Sequence, residues 1–322
     1  MRSVLLRRML QAVPLLFGLS ALTFLLLRLA PGDFLGTLAE NPAISAATLD
    51  AMRHRFGLDQ PWHVQYALYL RNIFLHLDFG ESFSRHQPVF AVLGEGLGNT
   101  LLLSGTAALV TWSLAIPFGM WAAARQRTAV DRGLSLAAFT VLSLPEILSG
   151  LLLLMLAART GWFPVGGMHG SGWDSMGPFA RAFDLLRHLT LPALVVGLVP
   201  FAGRMRQVRA NMLDVMRLDY VTAARARGLD EPTILTRHVL RNALNPLITL
   251  FGFTLGTMLS GSLVAEILFS WPGLGRITFE ALMARDLYLV TGAVLLGALV
   301  LVAGNLIADL MLVFADPRLA HE

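Results

Sequence analysis

The sequence predicts an all-α integral membrane protein with six transmembrane helices and both termini in the cytoplasm. Of its 322 residues, 55% are hydrophobic and only 14% are charged, which is too apolar for an ordinary soluble domain of this length. The apolar residues lie in long runs with almost no charge, as membrane-spanning helices require. The arginines lie beside these runs, and their placement sets the orientation.

The first apolar run extends from Met9 to Leu27, after Arg2, Arg7 and Arg8. A basic start before an apolar stretch is also typical of a cleavable signal peptide. This run is long for a signal peptide, however, and the Ala-Pro-Gly-Asp that follows it is a poor cleavage site. We therefore interpret residues 1–30 as an uncleaved first transmembrane helix.

Residues 31–95 are predicted to form an extracytoplasmic helical region. One helical pattern begins at about Ser45 and stops at Gly57, a plausible helix-ending glycine. Another opens at Pro61, which suits the first helical position. A pair of helices on the membrane surface is one interpretation, and a platform for an external partner is the other. The second pattern places four apolar side chains on one face: Trp62, Tyr66, Leu70 and Ile73.

Residues 96–315 contain the other five predicted crossings, and residues 316–322 form a cytoplasmic tail. The run from Leu189 to Gly203 is short for a span. We retain it because Arg204, Arg206 and Arg209 mark a helix end that emerges into the cytoplasm, with side chains that reach the interface. The remaining runs are Gly96–Ala124, Gly133–Ala158, Asn242–Ala265 and Leu287–Ala308.

A cytoplasmic N-terminus places the short basic segment around Arg125, Arg127 and Arg132 inside the cell, together with residues 204–241. The opposite orientation would place all these arginines outside, against the positive-inside rule. An even number of crossings returns the C-terminus to the cytoplasm. The external loops then contain three side chains whose rings suit the membrane interface: Trp162, Trp173 and Trp271.

The composition excludes several kinds of chemistry. All 25 basic residues are Arg, so the chain lacks the lysine of a nucleotide-binding P-loop, and ATP chemistry must belong to a partner. The chain has no Cys and hence no disulfide or thiolate metal site. It lacks the H-E-x-x-H and G-x-S-x-G patterns, and we predict no catalytic, cofactor or metal site. The pI near 10.3 could suggest nucleic acid, but we interpret the arginines as topology signals and predict no such partner.

Three carboxylates lie in or beside the apolar runs, where charged groups usually face a bundle interior or a water-filled cavity. Glu146 follows Pro145 near the middle of its run and is the best candidate for a pathway-lining group. A structural hydrogen bond is the alternative for Glu146. Glu266 and Asp309 lie at run ends, where we expect interfacial solvation or pairing with Arg.

The fifth apolar run carries small residues every four positions, at Gly252, Gly256 and Ser260. This pattern allows close approach of two helices in a membrane. Helix packing is the default interpretation, and a pathway-lining role for Ser260 is the second.

The stretch from Asp219 to Pro246 is basic and amphipathic and lies between two apolar runs. Its pattern predicts a short helix that Gly228 ends, followed by a second helix that begins near Pro232. Such a pair could transmit movement of a cytoplasmic partner to the membrane helices. The alternative is an amphipathic segment that merely lies on anionic lipid.

The sequence T-A-A-R-A-R-G at Thr222–Gly228, followed by Pro246, resembles the EAA loop of ABC-transporter permeases. Thr222 replaces the eponymous Glu and Arg241 replaces a frequent Pro, as in the dipeptide/oligopeptide/nickel branch. Pro145-Glu146 and Asn245 depart from that branch and leave the substrate open. Other matching segments are Ala30–Asp33, Phe56–Pro61, Gln65-Tyr66, Leu77–Ser82, Ala224–Leu229, His238–Ala243, Glu266, Phe269–Gly275, Asn305, Asp309 and Asp316–Arg318.

The resemblance implies the type I importer permease fold in the bacterial cytoplasmic (inner) membrane. It implies a second, homologous permease, two ATP-binding subunits and an extracytoplasmic solute-binding protein as partners, with lipid around the helices. The transported solutes would be di- or oligopeptides, or alternatively nickel or another small solute. An intramembrane enzyme, or a channel without energy coupling, is disfavoured. Within a coupling loop at residues 210–245, the residues expected to contact the ATPase are Thr222, Ala223, Ala224, Arg225, Arg227, Gly228 and Leu229.

Overall fold

In the computed structural model, residues 2–29, 34–39, 45–55, 59–244, 246–247 and 262–315 are described, and they form helices and loops without a β-strand. The helices of the first half are α1 (Arg2–Leu29), α2 (Phe34–Ala39), α3 (Ala46–Arg55), α4 (Trp62–His76), α5 (Val89–Ala124), α6 (Ala129–Ser143) and α7 (Glu146–Thr160).

The helices of the second half begin with α8 (Pro178–Val215) and α9 (Asp219–Ala226). A helical segment then runs through α10 (Glu231–Thr233), a π-helix (Ile234–Leu240) and α11 (Arg241–Ala243). The last helices are α12 (Leu263–Leu268), α13 (Leu274–Met283) and α14 (Leu287–Ala315).

Among the described residues, four helices are long and apolar enough to cross a membrane: Leu10–Leu29, Val89–Ala124, Pro178–Val215 and Leu287–Ile307. A fifth span is added if α6 and α7 are counted as one, although they meet at an angle of 103°. The run Gly133–Ala158 is therefore not the straight helix that its composition suggests. Pro145 explains the break, because its ring disfavours a helical conformation in the preceding residue and it has no N–H to donate.

The short apolar run Leu189–Gly203 lies inside α8, which has 38 residues and a length of about 57 Å. The helix therefore exceeds the roughly 30 Å hydrocarbon core of a bilayer. The predicted run Asn242–Ala265 lies mostly outside the described residues, as do Gly57 and the segments Ala30–Asp33 and Asp316–Arg318.

The described residues form two compact units that do not follow chain order. We call residues 100–271 with 303–315 the central unit, and Arg2–Asn99 with Pro272–Val302 the terminal unit. Helices α5 and α14 contribute residues to both.

The core of the central unit is built on α5, α7, α8 and α12. Phe269 and Trp271 are buried there against Leu103, Leu189 and neighbouring apolar side chains. The prediction that Trp271 lies at the membrane interface was wrong, because its ring is 0% exposed. Trp162, by contrast, is 69% exposed.

Helices α5 and α8 approach closely at Gly119. A Cβ built on Gly119 would lie 2.7 Å from the main-chain oxygen of Met205 and 2.7 Å from Cβ of Val208. Any larger residue would force the helices apart. Small residues at helix contacts are typical of membrane bundles, and this contact is one that the sequence analysis did not identify.

In the terminal unit, α4 packs antiparallel to α1. Tyr66 makes a 2.8 Å hydrogen bond with Ser20, and the rings of Phe74 and Phe17 stack at 5.6 Å. The helix predicted from Pro61 is confirmed, since α4 begins immediately after it. Its most buried side chains are Gln65 and Tyr69, so its inward face is centred one residue before the predicted Tyr66–Leu70 face.

The loop between α4 and α5 is fixed by Asp286, which is 0% exposed. Its Oδ2 accepts hydrogen bonds from the hydroxyls of Ser82 and Ser84 and from the Ser84 N–H, at 2.6–2.9 Å. Its Oδ1 accepts from the N–H of Leu289 at the start of α14. The Asp286 carboxylate thus holds the Leu77–Ser82 segment against the start of α14.

Candidate functional site

Helix α9 ends in a glycine turn. The N–H of Gly228 donates to the carbonyl of Arg225 at 2.9 Å, and the N–H of Leu229 donates to that of Ala224 at 3.4 Å. This pair of bonds is the Schellman arrangement, which requires a left-handed residue after the helix. Gly228 has φ +80°, which glycine adopts without steric cost. The predicted glycine stop is confirmed.

The second helix begins at Glu231 with Asp230 as its cap. The Asp230 carboxylate accepts a hydrogen bond from the N–H of Thr233 at 3.2 Å, which satisfies one of the free donors at a helix start. Hydrogen bonds from Thr233 hold the pKa of the Asp230 carboxyl below its usual value. The predicted helix near Pro232 is thus confirmed, but its middle, Ile234–Leu240, is a π-helix. No sequence periodicity indicated that feature.

The elbow, as we call residues 219–244, is anchored through one face of α9. Val221 and Ala224 are buried in a cluster with Val208 and Met212 of α8 and Ile234 of the second helix. The opposite face is open. Of the seven predicted contact residues, six are exposed: Thr222, Ala223, Arg225, Arg227, Gly228 and Leu229. Ala224 instead packs inward, where it can position the exposed face but cannot reach a partner without movement.

Polar side chains close the elbow on itself. The amide of Asn242 donates to the hydroxyl of Tyr220 at 2.8 Å and to the carbonyl of His238 at 2.9 Å. The amide of Asn211, on α8, donates to the carbonyl of Ala243 at 3.1 Å. These hydrogen bonds link the second helix to both α9 and α8. A movement of α9 would therefore be passed to the second helix and to α8.

Arg225 pairs within the elbow. Its Nε lies 2.6 Å from Oε1 of Glu231, and both side chains are well exposed. An exposed pair of this kind contributes about 0–1 kcal/mol to stability. A partner could therefore displace it at little cost. The pair also fixes the direction of the Arg225 side chain in the free chain.

Glu146 lies at the break between α6 and α7, as the first residue of α7. It is half-buried, and among the described residues no hydrogen-bond partner reaches its buried Oε1. The alternative of a structural hydrogen bond at Oε1 therefore has no support within those residues. Ser260, the other predicted pathway residue, lies outside the described residues together with Gly252 and Gly256.

Glu266 is not solvated, so the expected interfacial solvation was wrong. It is 0% exposed, and its Oε1 accepts hydrogen bonds of 2.7 Å from the hydroxyls of Thr100 and Ser262. The neighbouring Ser270 has φ +51°, which turns the chain sharply so that Trp271 enters the core. The carboxylate thus joins the start of α12 to α5.

An ion pair that the sequence analysis missed lies at the other end of α6. Arg209 Nε lies 2.6 Å from Oδ1 of Asp131, and its Nη2 lies 2.8 Å from Oδ2. The Arg127 N–H also donates to Asp131. The Arg209 side chain was expected to reach the membrane interface. In the structure this side chain is held by Asp131 instead. The signal available in the sequence was a single Asp among arginines at the start of an apolar run.

The structure thus defines a multi-pass helical membrane protein that carries an anchored elbow with one exposed face. Residues 115–321 match the family described as "Binding-protein-dependent transport system inner membrane component". Residues 1–104 match the N-terminal region described for membrane components of the same systems. The first match covers more than half of the chain, so the chain belongs to this family of inner-membrane transport subunits.

Several relatives match along their entire length, including the following two. The chain is 38% identical to the oligopeptide transport system permease protein AppB of Bacillus subtilis (strain 168), over 100% of both chains. It is 35% identical to the di/tripeptide transport system permease protein DppB of Pseudomonas aeruginosa (strain UCBPP-PA14), again over 100% of both.

A solved structure supports the fold. It is described as "Inward facing conformations of the MetNI methionine ABC transporter: CY5 native crystal form". The match has a TM-score of 0.50 and 19% identity, and it covers 69% of this chain and 97% of the solved one. At this identity the match shows a shared fold and no more.

Proposed function

We propose that this chain is the permease subunit of an ATP-driven importer of short peptides, and that the elbow is its docking surface for an ATP-binding subunit. The observation that carries the docking proposal is the two-faced α9. Its inner residues Val221 and Ala224 are packed on α8, while the outer face carries exposed Ala, Thr and Arg. A partner pressing on that face would move α8 with it.

The family supports partners of two kinds, ATP-binding subunits and a solute-binding protein, with ATP hydrolysis in the former. We infer in addition a second permease subunit, because exposed apolar residues line α7 where a helix of another chain could pack. These residues are Ile147, Leu148, Leu151, Leu152, Met155 and Leu156, each 42–55% exposed. Exposed residues of this type face either lipid or another helix in a membrane.

The peptide substrate is proposed from the two relatives described above, both of which match over their full lengths and carry peptide-transport names. We infer that Glu146 faces the solute pathway, since its buried Oε1 has no hydrogen-bond partner among the described residues and an unpartnered carboxylate is costly in hydrocarbon. The six crossings are proposed from the apolar runs, and the cytoplasmic position of both termini is proposed from the arginine distribution.

The docking proposal is tested with Ala223→Trp in the importer purified with its ATP-binding subunits. Ala223 is exposed on a regular turn of α9, so an indole there adds bulk on the outer face without disturbing the core. We expect uptake and substrate-stimulated ATP hydrolysis to fall at least tenfold while the chain remains folded.

Gln126→Trp is the matched control, because Gln126 is exposed on the turn between α5 and α6, outside the elbow. It should leave both activities near the parent level. Full activity of Ala223→Trp would refute the docking role. Uptake assays with labelled dipeptides, oligopeptides and nickel test the substrate separately, and uptake of nickel alone would refute the peptide proposal.

A further inference from the structure

Helix α6 carries a basic residue followed by an exposed apolar stripe. Arg132 is exposed near the start of the helix, and Leu136, Phe139 and Leu142 follow at helical spacing. The three apolar side chains are 68%, 53% and 37% exposed. The stripe is therefore largely uncovered among the described residues.

The opposite face of α6 is packed. Ala138 is buried with Ala115 of α5 and with Ala202 and Met205 of α8, and Leu134 and Val141 pack against the same cluster. Helix α6 is thus held in a fixed rotation, with the stripe directed away from the protein interior.

A second arginine from α8 reaches the stripe. The guanidinium of Arg206 lies 4.0 Å from the centroid of the Phe139 ring, which is a close cation–π contact. Side chains on a helix lean toward its N-terminus, so the Phe139 ring covers the turn nearer to Arg132. The contact holds the guanidinium beside the stripe, where its fork of N–H donors suits a phosphate group.

The two arginines keep their charge available. Among the described residues, no carboxylate lies within ion-pair distance of Arg132 or Arg206. The nearby carboxylate, Asp131, is occupied by a bidentate bond from Arg209. Exposed Arg125 and Arg127 add further positive charge to the adjoining turn.

The length of the stripe fits one leaflet. From Arg132 to Leu142 the helix rises about 15 Å, which is half of the roughly 30 Å hydrocarbon core. The chain then breaks after Ser143, so the stripe ends where a single acyl chain would end. In the orientation that we propose, the arginine end lies at the cytoplasmic surface.

We infer that this surface is a binding site for an anionic phospholipid. Arg132 and Arg206 bind the phosphate oxygens, and one acyl chain lies along Leu136, Phe139 and Leu142. Positive charge beside an apolar stripe complements a negative headgroup on a hydrocarbon chain. An acidic protein surface would satisfy the arginines but would leave the stripe exposed.

Native mass spectrometry of the full chain in detergent tests the site, with phosphatidylglycerol and phosphatidylcholine as probes. We expect tighter binding of phosphatidylglycerol. Each arginine near a charged headgroup contributes about 1 kcal/mol, or about fivefold in affinity. Arg132→Gln with Arg206→Gln should therefore weaken phosphatidylglycerol binding about 25-fold and affect phosphatidylcholine little.

The control is Arg217→Gln with Arg237→Gln, which removes the same charge from two exposed arginines elsewhere. Phosphatidylglycerol binding within twofold of the parent is expected for the control. Equal loss in both double variants, or loss in neither, would overturn the proposal, because binding would then follow net charge or another surface.

A second measurement does not depend on folding of the double variant. The chain has no Cys, so Leu136→Cys provides a unique site for a photoreactive label in the membrane-embedded importer. Crosslinking to phospholipid is expected. Crosslinking to a protein subunit instead would show that a partner covers the stripe, and the lipid proposal would fail.

Discussion

The ion pair between the buried Asp131 and the half-buried Arg209 predicts that removing one or the other side chain has unequal effects on stability. The Asp131 side chain is 6% exposed, whereas that of Arg209 is 27% exposed. Arg209→Met leaves an uncompensated carboxylate in the protein interior, which costs about 3–5 kcal/mol. Asp131→Leu leaves a guanidinium that can reach solvent and one N–H, that of Arg127, without its acceptor. Its expected cost is about 1–3 kcal/mol.

The double variant, Asp131→Leu with Arg209→Met, removes both charges at once. Replacing a buried pair by apolar side chains of similar size is often nearly neutral. We therefore expect the double variant to be more stable than Arg209→Met alone, with a coupling energy of at least about 2 kcal/mol.

The assay is unfolding of the purified chain in mixed micelles by sodium dodecyl sulfate, followed by circular dichroism, for the parent and the three variants. Additive effects within about 0.5 kcal/mol, or equal costs for the two single variants, would refute the reasoning. Either result would mean that Asp131 is solvated or has another partner in the membrane.

Two further predictions concern glycines. Gly119→Ala should destabilise the chain by about 1–3 kcal/mol through overpacking, because its Cβ would lie 2.7 Å from a main-chain oxygen; Gly105→Ala, where the Cβ meets nothing within 4 Å, is the control in the same helix. Similar unfolding curves for the two would contradict the close contact. Gly228→Ala should cost about 1–2 kcal/mol at the elbow from its left-handed conformation and reduce uptake per ATP hydrolysed in the assembled importer. Gly228→Asn should lose less, because asparagine tolerates this conformation better, and the reverse order would contradict a conformational cause.

The elbow was largely predictable because its signals are local. A glycine stop, a capping Asp and a proline in the first turn act over four or five residues, so their spacing in the sequence determines the two short helices. The start of α4, immediately after Pro61, followed for the same reason. Which face of α9 is buried was not predictable, since Ala223 and Ala224 are the same residue type and only packing on α8 distinguishes them.

The errors arose where a long-range contact overrides local composition. Trp271 and Glu266 lie beside apolar runs, and both suit an interface by residue type. The structure buries both, because Thr100 and Ser262 satisfy the carboxylate and Leu103 and Leu189 surround the ring cluster. Ser262 lies four residues from Glu266, but Thr100, Leu103 and Leu189 are far away in the chain, and no pattern near Glu266 indicates them.

The sequence by itself determined that this is a multi-pass helical membrane protein with a basic helix–turn–helix segment. Hydrophobic run length, arginine placement and glycine conformation are properties of neighbouring residues. Their effects do not depend on which distant segments pack against them. Only the tertiary structure decided the close approach at Gly119 and the pairing of Asp131 with Arg209. These depend on which helices meet and at what rotation, and that choice rests on the sum of many weak contacts between distant segments.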